Sequence, residues 1–95
     1  MTLEQVTSKL LEKYKIINII DSVDFRSRNQ DGCVVKVKFD GAYKSGIFEE
    51  TINAYDITID DIGNGTYRIT LFSKVGYDFN QYEINDIVSI EYVEE

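Results

Sequence analysis

The stretch Tyr55-Asp56-Ile57-Thr58-Ile59-Asp60-Asp61-Ile62-Gly63-Asn64-Gly65-Thr66-Tyr67-Arg68-Ile69-Thr70-Leu71 decides the fold. Tyr55, Ile57 and Ile59 alternate with polar residues, and so do Tyr67, Ile69 and Leu71, the period-two signature of strands with one buried face. Gly63-Asn64-Gly65 between them predicts a hairpin turn. A two-residue loop of Asn64 and Gly65 would set Asp60 opposite Ile69 and turn an acid into the core, because neighbouring residues point to opposite faces. A three-residue loop over 63–65 instead pairs Ile59 with Ile69, Ile57 with Leu71, Thr58 with Thr70 and Asp60 with Arg68, with Gly65 taking a positive φ. The sequence predicts that second register.

Upstream, Cys33, Val35, Val37 and Phe39 alternate with Val34, Lys36 and Lys38, a second clear strand pattern. Asp40-Gly41 then turns the chain into a strand around Tyr43 to Phe48, and Gly46 inside it marks a bend, because no Cβ blocks close backbone approach. At the start, Leu3, Val6, Leu10, Tyr14 and Ile17 fall on one helical face. Thr2 and Gln5 form a capping box for that helix. The β-branched cluster Ile16, Ile17, Ile19 and Ile20 ends it near Tyr14 or Lys15 and begins a strand. Residues 21–32 read as a polar connection closing on an Asp31-Gly32 turn, and residues 74–83 as a loop or irregular edge. A last strand covers Ile87 to Val93, followed by Glu94-Glu95.

The fold expected is α+β: one domain over residues 1–95, with an N-terminal helix packed on a strongly curved antiparallel sheet or a small five-stranded barrel. Its core is Leu3, Val6, Leu10, Val35, Val37, Phe39, Ile57, Ile59, Ile69, Leu71, Ile87 and Ile90. At 95 residues and 43% apolar content, the chain builds one core and not two. The first residues lack a basic stretch followed by an apolar run, and no apolar run reaches the roughly 20 residues that span a bilayer, so a cytoplasmic protein without membrane contact is expected.

Chemistry is narrowed sharply by composition. There is no histidine and one cysteine, which removes the commonest general base, the commonest transition-metal ligand and any internal disulfide. Cys33 is in phase with Val35 and Val37 and reads as a core residue. Asp60 to Gly65 lacks the ligand spacing and closing glutamate of a calcium loop, and the glycines match no phosphate cradle. No cofactor, metal or catalytic residue is expected, and the protein reads as a non-enzyme. Charge is uneven: residues 1–48 carry a net of +2 and residues 49–95 a net of −9, within a total of −7. The second half repels phosphate backbones and attracts basic partners, so direct nucleic-acid binding is not expected. Lys36 and Lys38 with Arg26 and Arg28 are read as an edge-strand solubility device or an internal match for those acids.

Residues 33–48 and 55–61, with the shorter stretch Tyr82 to Ile90, resemble the two motifs of Sm-like proteins. That resemblance implies a leading helix, five short strands bent at a glycine, and assembly into rings. The family's RNA-reading aspartate and asparagine fall closest to Ile52 and Asp56 here, so RNA binding is not carried over. In overall character the chain is similar to small acidic proteins of phages and mobile elements, among them anti-CRISPR and anti-restriction proteins that occlude the basic nucleic-acid groove of a host defence enzyme. For that function Glu49, Glu50, Asp56, Asp60 and Asp61 would occupy phosphate positions, and the aromatic segment Tyr77, Asp78, Phe79 and Tyr82 would anchor the partner, a basic nucleic-acid-handling protein of the host cytoplasm. The alternatives are an Sm-like adaptor that forms a homodimer or ring through the strand near Ile87 to Val93, and a structural domain without nucleic-acid mimicry.

Overall fold

The computed structural model describes residues 1–41, 46–74 and 78–93. Tyr43 of the expected second strand, Tyr77 of the aromatic segment and the Glu94-Glu95 tail lie outside the described residues. The chain runs α1 (Leu3–Leu11), β1 (Tyr14–Asn18), β2 (Val23–Ser27), β3 (Cys33–Asp40), β4 (Ile47–Gly63), β5 (Thr66–Ser73), β6 (Phe79–Glu83), a 3-10 turn (Ile84–Asp86) and β7 (Ile87–Tyr92). The helix opens on the expected cap, with Gln5 N donating to Thr2 Oγ1 at 3.2 Å and Thr2 N donating to Gln5 Oε1 at 2.9 Å. It stops at Leu11, so that Tyr14 enters the core as the first residue of a strand and not as the last of a helix.

All strand pairs are antiparallel, in the order β1-β2-β4-β3-β7, with β5 on β4 and β6 on β5. The spine is β4. Residues 47–54 pair with β3, whereas residues 56–59 lie between β2 and β5. A register shift between Ala54 and Asp56 lets the inward face pass from Ile52 and Ala54 to Ile57 and Ile59. An extra residue bends and twists the strand that carries it, so the sheet curls at Tyr55. Gly46, the bend expected from the sequence, precedes β4 with φ +132.

The β4–β5 register is the one expected: Ile59 opposes Ile69, Ile57 opposes Leu71, Thr58 opposes Thr70 and Asp60 opposes Arg68. Its origin differs. The turn is the two-residue Asn64-Gly65, both with positive φ (55 and 74), and the odd residue is absorbed one step earlier, where the register shifts between Asp61 and Gly63. The five-stranded Sm-like barrel is not what forms. Among the described residues the sheet has seven strands and β6 and β7 do not pair, so it does not close. Segments expected as connections, 23–27 and 79–83, are β2 and β6, and Ile47 and Phe48, the described end of the strand expected around Tyr43 to Phe48, belong with the strand expected from Tyr55 in one β4.

The expected core residues are all buried except Leu3 and Phe39, which are partly covered. Tyr14, Phe25, Ala54, Tyr82 and Ile84 complete the core. The helix is tied to β7, with Tyr92 OH donating to Lys9 O and the amino terminus of Met1 donating to Ile87 O. Among the described residues no helix is long and apolar enough to cross a membrane.

Candidate functional site

The bend in β4 sorts the proposed contact residues into two groups. Before the bend, residues 47–51 are exposed in succession, which is unusual in a sheet, where one face of a strand is ordinarily covered. Alternation puts Glu49 on the outer face and Phe48 and Glu50 on the inner face, at the open mouth of the curled sheet. There the Phe48 ring lies 6.0 Å from that of Phe39, and Phe39 lies 4.8 Å from Tyr82. Tyr82 is buried, and its hydroxyl donates to Glu50 Oε1 at 3.0 Å while Asn80 Nδ2 donates to that hydroxyl at 3.0 Å. Burial above all, and then the nearby Glu50 carboxylate working against the Asn80 amide, pushes the Tyr82 phenol up to about 12. The structure thus joins Glu50 to Tyr82 across 32 residues of sequence.

Glu49 faces a cation: Lys36 Nζ lies 3.4 Å from it and 3.7 Å from Glu91. Lys38 stands directly opposite Glu49 on the same face, so Glu49 lies between two lysines, whereas Glu50 on the inner face forms no ion pair among the described residues. Phe79 points to the outer face, 54% exposed, with its ring 6.2 Å from Phe72, and Asp78 beside it is exposed. Phe79 and Tyr82 therefore serve opposite faces of β6, which the sequence grouping did not separate.

Beyond the bend the acids are engaged within the fold. Arg26 Nε donates to Asp56 Oδ1 at 3.1 Å, which raises the guanidinium further, and Arg68 Nη2 donates to Asp60 Oδ2 at 3.2 Å. Asp61 accepts from Gly63 N at 2.8 Å. The pairs at Asp56 and Asp60 leave little charge free for a partner. Asp24, on the same outer face, is pushed up by partial burial but down by hydrogen bonds from Ser22, Asn18 and Thr58, and the bonds win.

Cys33 is partly buried, with its Sγ 3.3 Å from Ser27 Oγ. It lies on the wall of a cleft of about 710 Å³ with Lys13, Arg28, Asn53 and Tyr92. Among the described residues, no three acidic or cysteine side chains gather as metal ligands would. Comparison with protein-family models, curated proteins and solved structures finds no match to this chain.

Proposed function

We propose that the chain is a non-catalytic protein-binding module that docks on a basic surface through the acidic and apolar start of β4. In this reading it is an inhibitor encoded by a phage or mobile element that occludes the nucleic-acid-binding surface of a host defence protein. One observation carries it: residues 47–51 are exposed in succession, and among the described residues only β3 pairs with them. Ile47, Phe48, Glu49 and Glu50 thus present side chains of both kinds beside an open strand edge. Apolar groups supply contact area, carboxylates select a basic partner, and Asp78 and Phe79 extend the same chemistry. Docking through Asp56, Asp60 or Glu49 would displace an arginine or Lys36, so Glu50, without an ion pair among the described residues, is the acid most available to a partner.

Capture from extract of the source cell tests this, with wild-type protein beside an E49Q/E50Q variant. A basic nucleic-acid-binding protein should be retained by the wild type, about tenfold more weakly by the variant, and released between about 0.1 M and 1 M salt as the Debye length falls from ~10 to ~3 Å. Retention unaffected by salt and by the variant would remove the electrostatic basis. The second reading, an Sm-like adaptor, draws on the unpaired outer edges of β6 and β7, and predicts a ring by light scattering that persists in high salt.

A further inference from the structure

The β1–β2 hairpin carries the opposite charge. Tyr14 and its partner Ser27 are buried, so alternation turns Lys13, Lys15, Arg26 and Arg28 together onto the outer face. Lys15 stands directly opposite Arg26, and Arg28 N donates to Lys13 O at 2.9 Å, which sets that second pair of cations side by side. Like charges directly opposite on a sheet destabilise it. Among the described residues only Asp56 forms an ion pair with any of the four, through Arg26. The same hairpin exposes Ile16, Ile17, Ile19 and Ile20, the last two at 71% and 85%. Its first strand is open: among the described residues β1 pairs with β2 alone.

Lysines on an edge strand deter pairing with another copy of the chain, because a second β1 brings lysine toward lysine. That accounts for Lys15, and Arg26 is held on β4 by Asp56 and the face of the Tyr55 ring, but neither accounts for isoleucines left in water. The lysines without an ion pair among the described residues and the exposed Ile16 are answered by a single kind of neighbour. A strand with acids on one face and apolar side chains on the other would set its acids beside Lys13 and Lys15 and its apolar groups beside Ile16, which shares the face of Tyr14 and Phe25, while its backbone used the free edge. A phosphate backbone would answer the cations and leave the isoleucines wet.

We propose that β1 is a docking edge for an extended segment of a partner protein in which acidic and apolar residues alternate. This surface lies on a different hairpin from the start of β4 and takes the opposite charge, so it stands or falls separately from the function proposed above. The test uses a short synthetic peptide alternating glutamate and valine, the same peptide with lysine for glutamate, and a single-stranded oligonucleotide. The glutamate peptide should bind the full chain, slow amide exchange in Tyr14–Asn18, and lose about tenfold in affinity in a K13E/K15E variant, which should then take up the lysine peptide. A second variant, K13Q/K15Q, removes the like-charge contacts without adding acids, and a thermal melt confirms that both remain folded. Failure of the glutamate peptide to bind, binding without protection of β1, preference for the oligonucleotide, or self-association of the chain through β1 would each overturn the proposal.

Discussion

Tyr14 shows how a single side chain reassigns a segment. Its spacing from Leu3, Val6 and Leu10 suits a helix, yet it is fully buried in β1, where its hydroxyl donates to Ala54 O at 2.6 Å across 40 residues. Periodicity counts which positions are apolar, not which of them can bring a polar tip to a distant carbonyl, so only the structure reveals this contact. Tyr14→Phe keeps the ring and leaves that acceptor short of a donor, and should cost about 1–2 kcal/mol in chemical denaturation. Tyr14, Tyr82 and Tyr92 all have phenols raised above the ordinary value, chiefly by burial. An acid whose folded pKa lies above its unfolded one adds stability in full below the unfolded value, about 10, and loses it as pH rises. The protein should therefore hold its stability to about pH 10 and unfold above it, with tyrosinate absorbance rising in step with loss of the fold. Absorbance that rose well before unfolding would mean the rings are wet.

Among the elements, legibility followed the length of the alternation. The β4–β5 hairpin offers alternating apolar residues on each run, of which Ile57 and Ile59 meet Leu71 and Ile69 in the core, and was readable down to its pairing. By contrast, β2 has only Val23 and Phe25 with a buried Ser27 behind them, and β6 turns only Asn80 and Tyr82 inward. Such short, half-polar strands exist because long neighbours supply their hydrogen bonds, a tertiary effect no local pattern carries. The hairpin also shows that one register has two origins: the expected odd loop is here an even type of turn plus an extra residue at Ile62, which is exposed. Deleting Ile62 should leave a regular two-residue hairpin with Asp60 still opposite Arg68, whereas deleting Asn64 should disturb the turn. Cross-strand contacts between Ile59 and Ile69 in an NMR spectrum check both outcomes; loss of that contact on deleting Ile62 would contradict the account.

Over the whole molecule, part of the sign difference between the two halves of the sequence is cancelled in space. Arg26–Asp56, Lys36–Glu49 and Lys36–Glu91 each join a cation of the first half to an acid of the second. The first two arise because β2 and β3 lie against β4 and the third because β7 lies against β3, so Asp56, Glu49 and Glu91 each meet a cation. Glu50 and Tyr82 of the expected site do meet, through the curl of the sheet. The engagement of Asp56 was hidden with β2 itself, whereas that of Asp60 followed from the hairpin register. What remains is a molecule with an acidic and apolar strand at one place and a cationic, isoleucine-rich hairpin at another. The central claim is that the first of these is the docking surface for a basic protein. Hydrogen exchange measured on the complex with the captured partner tests it most directly: protection concentrated in residues 47–51 and around Phe79, fading as salt is raised, is the result predicted. Protection confined to the outer edges of β6 and β7 and indifferent to salt would contradict it.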